Sequence, residues 1–485
     1  MIPSDVCRRS ILTRRAAQTG DRARPRLSNV ADDATMGTVD TPRRTLRIMD
    51  LALRVGETLL ANGAGTADVQ ATMSSICHHF GLRGTYVDVT YVMLTVMHQE
   101  NIDDVPLALR RNVNHRETDF EDLTDVDHLV RRLLADEVDL DEARREIATI
   151  STRGHTRPRW SVLASGGLLS AGVAFMIGGD WIVAVIATVA AWLIELMRWR
   201  LARYRLPDFY VQIGGGLCAS LLAVGTAALH VPVNPSLVIS ANIVVLLAGL
   251  GFIGAIQDAL TGYSGARIFE VMLSTAGIIV GVSGGIMAGG WLGVDISNQT
   301  TLPPLSQLLA VTFGGAVAAM TFAHSTHAPW RTLLPIGLIA GVAASIFVAG
   351  VNADVDRAFI AAVAAILIGI VSYPIARWCR VPALVVVVSA IVPLLPGLTI
   401  YRALSQLAEN NLSGIFQGIT ATAIAVALAA GVIFGEYLAQ PLARETRRLE
   451  RRLAGPRLVG PFRDKGRRPQ RIVSRGGPRP RRRPR

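Results

Sequence analysis

Charged and amide side chains are rare in the apolar stretches of this sequence, so the few that occur there are the first candidates for chemistry. Asp258 follows one apolar stretch, Glu270 opens the next, and Asn242 is an amide well inside a stretch. Ionisable groups at membrane depth are costly and commonly mark a proton or substrate pathway. A carboxylate in a half-dry cavity can carry a proton. Asp258 and Glu270 are therefore candidates for proton coupling or, alternatively, interfacial charges, and Arg267 has the spacing to pair with Glu270 on one helix face.

A second group of candidates lies where an apolar helix is interrupted. The stretch from Val381 is apolar for nearly the length that crosses a bilayer, and then contains Pro393 and the pair Pro396-Gly397. Proline removes a backbone donor and blocks the preceding turn, which predicts a broken helix. Broken helices at membrane depth occur where the freed backbone lines protein or a cavity. We therefore count Pro396, Gly397 and the following Tyr401 as substrate-binding candidates.

The interrupted stretch has an earlier counterpart. Leu247-Ala248-Gly249-Leu250 aligns with Leu395-Pro396-Gly397-Leu398, and one inserted residue later Ser264-Gly265 aligns with Ser413-Gly414. Two apolar helices of simple composition can resemble each other by chance, but the matching polar positions favour a true repeat. Internal repeats are typical of transporter folds. The first copy lacks the proline, so its break is expected to be softer.

Composition places the chain among integral membrane proteins. The 485 residues are 51% hydrophobic, with a mean hydropathy of +0.38. We predict ten membrane spans, most of them near the roughly 20 residues that a spanning helix needs. They are Trp160–Ile177, Trp181–Met197, Val211–Leu229, Ser236–Ile256, Ile268–Gly290, Leu305–Ala323, Leu333–Gly350, Ala358–Ala376, Val381–Leu398 and Ile415–Leu438.

The connecting loops predict the orientation of these spans. With the N-terminus inside, eight arginines fall in cytoplasmic loops and two, Arg357 and Arg402, fall outside. A repeat that relates the fourth span to the ninth implies two halves of five, 158–298 and 299–440. Because five is odd, the second half must be inverted, which places a binding site near the midplane and favours alternating access.

Glycines recur at every fourth position of the fifth predicted span. They are Gly277, Gly281, Gly285 and Gly289. Glycine at this spacing lets two helices approach closely, so a packing role is the simpler interpretation.

A small soluble domain is predicted ahead of the spans. Within residues 43–157, helical periodicity runs up to Asn62-Gly63, and Thr66 and Asp68 can begin a second helix. Residues 86–96 are rich in β-branched side chains and predict one or two strands, with a partner strand near 107–113. Two amphipathic helices are predicted over 123–134 and 140–150. This pattern predicts an α+β domain. Residues 1–42 are polar and lack a signal-peptide pattern, so we predict a disordered arm and a cytoplasmic domain.

The last residues are strongly basic. Residues 444–485 hold seventeen Lys or Arg against three Asp or Glu, so this segment is more positive than the whole chain, whose net charge is +12. We predict that 441–485 is a disordered tail on the anionic inner leaflet, rather than a nucleic-acid-binding tail. The four cysteines lack metal-ligand spacing, and no phosphate-binding loop is present, so no cofactor or metal is predicted.

Three stretches carry a resemblance to a known family. They are LALRVGETLLANGAGTADVQATMSSICHHFGL in the soluble domain, GFIGAIQDALTGYSGARIFEVML in the first half and VPALVVVVSAIVPLLPGLTIYRAL in the second. The chain resembles the threonine/serine exporter (ThrE) family over roughly residues 46–438. The resemblance implies a cytoplasmic domain, ten membrane helices, and export of threonine and serine driven by the proton-motive force. The family commonly has Pro-Gly where this chain has Ala248-Gly249.

Together these observations predict an α-helical integral protein of the cell membrane, with ten helices as two inverted repeats of five and both termini cytoplasmic. The expected function is secondary transport of small hydroxy amino acids, and no catalytic residue is predicted. The alternative is a membrane-anchored enzyme or sensor whose soluble domain carries the activity. The sequence leaves the oligomeric state and the proton-carrying carboxylate open.

Overall fold

The computed structural model describes residues 32–90, 92–101, 103–113, 116, 118–154, 157–204, 206–248, 251–263, 265–294 and 304–450. The chain divides into two units, residues 1–45 and 46–485, and the description of the first unit is limited to the beginning of helix α1 (Asp32–Ala61). Residues 32–42, predicted as part of a disordered arm, are helical, and so are residues 441–450 of the predicted tail. The remainder of both predicted segments lies outside the described residues.

The N-terminal domain, residues 46–152, has the predicted α+β composition. Helix α1 ends where Gly63 adopts a φ of 91°, a conformation that favours glycine. Helix α2 (Thr66–His79), the three strands β1 (Thr85–Val89), β2 (Met93–His98) and β3 (Leu107–Asn112), and the helices α3 (Phe120–Leu134) and α4 (Leu140–Thr152) follow in chain order. This order confirms the elements that periodicity predicted.

The three strands form an antiparallel sheet in the order β1-β2-β3. Thr85 pairs with His98 across the first ladder, and Met93 pairs with Asn112 across the second. Side chains alternate between the two faces, so Leu94 and Val96 are both buried on the same face. That face meets the helices, because a Cβ on Gly56 of α1 would contact Leu94.

Eight helices among the described residues are long and apolar enough to cross a membrane, which makes the chain a multi-pass membrane protein. They are Trp181–Tyr204, Asp208–Ala228, Ala266–Trp291, Ser306–Ser325, Trp330–Asn352, Arg357–Cys379, Ala383–Ala408 and Ser413–Ala439. The two other predicted spans correspond to α5 (Arg159–Met176), which is not among the eight, and to α8 (Pro235–Ala248), which is shorter. The count of ten therefore stays a prediction.

The helices that follow the N-terminal domain are α5, α6 (Trp181–Leu201), α7 (Asp208–Ala228), α8, α9 (Phe252–Leu260), α10 (Ala266–Trp291), α11 (Pro304–Ser325), α12 (Trp330–Asn352), α13 (Arg357–Cys379), α14 (Ala383–Ile391), α15 (Gly397–Ala408) and α16 (Ser413–Glu450). Helix α7 packs on α10 as α13 packs on α16, and α5 packs on α6 as α11 packs on α12. Helix α9 reaches across to α16 as α15 reaches across to α10. The two halves thus share one pattern of neighbours.

The glycines of the fifth predicted span pack as expected. A Cβ on Gly277 would lie 2.5 Å from the carbonyl oxygen of Phe209 in α7, and Gly281 and Gly285 face the same helix. In the second half, Gly431 of α16 comes equally close to the backbone of α13, where its Cβ would lie 2.6 Å from the oxygen of Ala362. The backbones of α7 and α10 are therefore in close contact in the first half, as are those of α13 and α16 in the second.

Each half also contains one interrupted helix. In the second half, α14 continues into a 3-10 turn, Val392–Leu394, and the chain restarts as α15 at Gly397 after Pro396. In the first half, α8 ends at Ala248 and α9 starts at Phe252 after Gly251, whose φ is 60°. The first interruption therefore occurs without a proline, at Gly251, whose left-handed backbone precedes the first residue of α9. Both predicted interruptions are confirmed. In the second, the α-helix ends at Ile391, two residues before the first of the two prolines.

Candidate functional site

A small cavity lies where the two interrupted helices meet the N-terminal domain. Its volume is about 40 Å³, which is room for a few water molecules. The first half contributes the end of α8, the start of α9 and one arginine of α10, the second half contributes α11, α14 and the following turn, and the N-terminal domain covers one side. The lining residues are Asn62, Gly63, Thr118, Phe120, Leu247, Ala248, Gly251, Gly254, Arg267, Phe322, Leu384, Val388, Ile391, Val392 and Leu395.

Arg267 is the charged residue in this lining. It lies in the first turn of α10, and its side chain is 10% exposed. The guanidinium rests against the start of α9, where a Cβ on Gly254 would lie 2.5 to 2.7 Å from three of its atoms and one on Gly251 would lie 3.2 Å away. The two glycines therefore leave the space that the guanidinium occupies. Because a helix N-terminus is electropositive, this position concentrates positive charge at the cavity.

Asp258 supplies the counter-charge. Its Oδ2 lies 3.4 Å from Nη1 of Arg267, and the residue is 2% exposed. Well-formed ion pairs of this kind have a nitrogen–oxygen distance of roughly 2.7–2.9 Å, so the pair is loosely closed. Arg267 also donates to the carbonyl oxygens of Gly63 at 3.4 Å and Ala64 at 3.5 Å in the N-terminal domain. Arg267 therefore binds both an acid and the backbone of another domain.

The other oxygen of Asp258 caps a helix of the N-terminal domain. Its Oδ1 accepts a 2.9 Å hydrogen bond from the backbone N–H of Thr66, the first residue of α2. The N-cap residue is Gly65, so the N-terminal N–H groups of α2, which lack intrahelical partners, have no N-cap side chain from the domain. A carboxylate from the membrane part thus satisfies an N–H that the domain leaves open, and it also complements the dipole of α2.

The expected pairing of Arg267 with Glu270 is wrong. Arg267 turns back to the glycines of α9 and to Asp258, while Glu270 lies 3.6 Å from Nη1 of Arg116 in the N-terminal domain. The helical spacing of three residues permitted a local pair, but two partners from elsewhere in the fold displaced it. Burial lowers the pKa of Arg116 to about 10; neighbouring Arg267 also lowers it, and Asp258 acts in the opposite direction.

Asn242, Pro396, Gly397 and Tyr401 are not among the lining residues. Asn242 is fully buried and donates to the carbonyl oxygens of Val238 at 2.9 Å and Ala187 at 3.4 Å. Gly397 packs on α8, because a Cβ there would lie 2.8 Å from the oxygen of Ser240. Asn242 and Gly397 thus hold the interrupted helices against their neighbours, whereas Asp258, which is not a lining residue either, contacts the lining residue Arg267.

Residues of the N-terminal domain also belong to this region, and sequence reasoning did not assign them to it. Asn62, Thr118 and Phe120 line the cavity. The Oδ1 of Asn62 accepts a hydrogen bond from the N–H of Asp119, which ties the end of α1 to the start of α3. Their place in the lining depends on how the domain docks on the membrane helices, for which the sequence gives no local signal.

Asp68, in the first turn of α2, adds a second carboxyl beside Asp258. Burial raises the pKa of Asp68 to about 7, and the charge of Asp258 contributes in the same direction. Burial also raises the pKa of Tyr263, with smaller effects from these two acids. The Asp68 carboxyl therefore changes charge near neutral pH.

The second half contacts the N-terminal domain at a different place. The N–H of Phe120 donates to the carbonyl oxygen of Thr326 at 2.8 Å, between α11 and α12. Asp119, which caps α3, lies 3.6 Å from Nδ1 of His327. His128 of α3 lies 2.8 Å from the carbonyl oxygen of Arg380 after α13. The domain is thus held by both halves, on the two sides of the cavity.

Two interrupted helices facing one cavity, with a buried arginine–carboxylate pair, define a multi-pass membrane protein built like a transport protein. A sequence model of the ThrE family, described as threonine/serine exporters, matches residues 50–288, and a second model, "Threonine/Serine exporter, ThrE", matches residues 311–438. The chain belongs to the threonine/serine exporter family, which confirms the resemblance.

Two relatives illustrate this membership. The chain is 34% identical over 421 residues to a "Probable threonine/serine exporter" of Mycobacterium tuberculosis, covering 84% of this chain and 79% of the relative. It is 30% identical over 411 residues to a "Threonine/serine exporter" of Corynebacterium glutamicum, covering 82% and 84%. Both relatives are named as exporters and not as enzymes, which favours transport over the enzymatic alternative. No solved structure matches the chain.

Proposed function

We propose that this protein exports threonine and serine across the cell membrane, as a secondary transporter driven by the proton-motive force. Family membership supports the substrates, since both relatives are named threonine/serine exporters. The observation that carries the mechanism is the loosely closed pair of Arg267 and Asp258 at the cavity between the interrupted helices. Both termini and the N-terminal domain are cytoplasmic in this proposal.

The substrate enters between the two charged groups. Threonine and serine are zwitterions, so the carboxylate takes the guanidinium of Arg267 and the ammonium takes the carboxylate of Asp258. Without substrate, Arg267 and Asp258 neutralise each other. With substrate bound, each of them pairs with the opposite charge of the zwitterion, so no buried charge is left without a partner. The electropositive start of α9 adds to the preference for a carboxylate. The small cavity volume fits a conformation without substrate.

Alternating access is supported by the matching packing of the two halves. The same pairs of helices touch in each half, and each interrupted helix reaches across to the other half. With an odd number of spans in each half, such a repeat is inverted, and rocking of one half against the other exposes the site to either side. The predicted ten spans and the midplane site belong to this proposal.

The proton is assigned to the paired acids Asp68 and Asp258. Asp68 gains a proton near neutral pH, and Asp258 exchanges between Arg267 and substrate. Glu270 is the weaker candidate, because Arg116 holds it. In such a cycle, substrate is released outward and a proton is taken up in exchange. Asp258 and Asp68 would be the carboxylates that receive this proton.

Transport by the purified protein tests the proposal. Reconstituted into liposomes, it should exchange labelled threonine for threonine or serine, and an imposed proton gradient should drive net threonine movement. An inserted, correctly folded protein that moves neither amino acid would refute the function. Exchange that persists without any response to the gradient would refute the proton coupling alone.

A further inference from the structure

The N-terminal domain lies across the two halves of the membrane part, over the cavity. On the first half, Asp258 binds the N–H of Thr66, and Arg267 binds the carbonyl oxygens of Gly63 and Ala64. On the second half, the N–H of Phe120 binds the oxygen of Thr326. We refer to the first set of contacts as the latch. These contacts leave the domain as one wall of the cavity, with Asn62, Gly63, Thr118 and Phe120 in its lining.

We propose that the N-terminal domain is the cytoplasmic gate of the transport path, and that it opens by releasing the latch on the first half while it stays bound to the second. This inference rests on the proposed function, because a gate needs a substrate to admit. In the described conformation the gate is closed. An amino acid that arrives from the cytoplasm can reach Arg267 after the segment 62–66 has moved away.

The latch is the side that opens because it consists of the groups that the substrate uses. The side chains of Arg267 and Asp258 are both hydrogen-bonded to the backbone of the N-terminal domain. The guanidinium of Arg267 lies 3.4 to 3.5 Å from two carbonyl oxygens, and Asp258 accepts from the N–H of Thr66. When segment 62–66 leaves, the guanidinium and the carboxylate are both freed for a zwitterion. Opening the gate and creating the binding site are therefore one event. On the second half, the backbone hydrogen bond from Phe120 to Thr326 involves neither Arg267 nor Asp258, so it can remain in place as the hinge.

A reversible cross-link across the latch tests the gate. A Cβ on Gly65 would lie 3.6 Å from Cδ of Gln257, and Gly65 has a φ of −65° that any residue adopts. Gly65→Cys with Gln257→Cys, in a chain without its four native cysteines, can be joined by a short, reducible thiol cross-linker. Tyr86→Cys with Met97→Cys, which face each other across β1 and β2, forms the matched control inside the domain.

The gate predicts that the latch cross-link lowers threonine exchange to about a tenth or less, because closing steps of this kind control access, and that reduction restores it. The control cross-link should leave exchange unchanged. Full exchange by the cross-linked latch would overturn the gate. The same variant before cross-linking reports on the proposed function: if it folds and exchanges threonine, transport stands whatever the cross-link does.

A second variant keeps the test independent of cross-linking. Thr66→Pro removes the N–H that Asp258 binds, at the first position of a helix, where proline is well tolerated. Thr66→Val keeps that N–H and is the control. Each variant also carries Thr118→Cys as a reporter, and an impermeant thiol reagent is added on the side of the N-terminal domain. The reporter should react about tenfold faster in Thr66→Pro than in Thr66→Val, because the loss of one hydrogen bond to a charged group changes the open population by about that factor. Equal labelling of the two variants would also overturn the gate.

Discussion

The two interrupted helices of the membrane part reach the same geometry with different chemistry. In the first half, a left-handed Gly251 precedes α9, which carries Asp258, and Arg267 of α10 contacts that carboxylate. In the second half, helix α14 ends at Ile391, the turn Val392–Leu394 is apolar and buried, and Pro396 precedes the start of α15. Proline fixes the second break, whereas ion pairs and hydrogen bonds to another domain hold the first. The charged groups and the contacts with the N-terminal domain are thus concentrated at the first break, which is the one that moves in the proposed mechanism.

The largest expected effect is at Arg267. Arg267→Ala leaves Asp258 buried without its partner, a loss of about 3–5 kcal/mol for a buried pair. Threonine exchange in liposomes should fall at least about 100-fold. Phe416 stands at the equivalent position of the second half and is exposed. Phe416→Ala is therefore the control, and an equal loss in the two variants would remove the distinction between the breaks.

The glycines at the two breaks should differ in stability. A Cβ on Gly397 meets backbone, 2.8 Å from the oxygen of Ser240, whereas a Cβ on Gly254 meets the movable end of Arg267. Gly397→Ala should lower the free energy of unfolding by about 1–3 kcal/mol, the usual effect of overpacking. Gly254→Ala should cost less but slow exchange by displacing the guanidinium. Thermal unfolding of the detergent-purified variants measures the first effect, and a larger loss for Gly254→Ala would contradict it.

A smaller effect is expected from pH, and on the first break alone. Burial and Asp258 raise the pKa of Asp68 from 3.8 to about 7 in the closed domain. Because the closed state binds this proton more tightly than an open one, closure is strongest below about pH 4 and is lost as the pH rises through about 7. Other groups that face Asp68 are Tyr263 and Glu436.

Labelling of a cysteine at Thr118 measures this dependence. Between about pH 5 and about pH 8, labelling should accelerate several-fold more in the wild-type background than in Asp68→Asn, which cannot lose the proton. Taking the ratio of the two proteins at each pH cancels the ionisation of the thiol itself. A constant ratio across this range would show that Asp68 does not control closure.

Local patterns predicted the fold well where local forces decide it. The N-terminal domain followed from helical and two-residue periodicity, so strands such as β2 and the stop at Gly63 appear where they were expected. Pro396-Gly397 predicted the second break because proline acts within its own helix. The stripe that includes Gly277 and Gly281 predicted close packing for the same reason, since spacing on one helix face sets it.

The site was harder to predict because its contacts join distant parts of the chain. Spacing suggested Arg267 with Glu270, but docking of the N-terminal domain brings Arg116 to Glu270 and leaves Arg267 for Asp258. The role of Asp68 depends on the same docking, since the charge of Asp258 in the membrane part contributes to the raised pKa of its carboxyl. Asn242 was favoured as a buried amide, and it is buried, but it bonds to backbone carbonyls of α6 and α8.

The most direct test asks whether Arg267 recognises the substrate carboxylate. Threoninamide keeps the hydroxyl and ammonium of threonine and lacks the negative charge. Equilibrium binding of both compounds to the purified protein should favour threonine by about tenfold or more in the wild type, since a charge-assisted pair is lost with the amide. In Arg267→Gln the two affinities should become nearly equal. A variant that still prefers threonine by the wild-type factor would place the carboxylate elsewhere and contradict the account of the first break as the binding site.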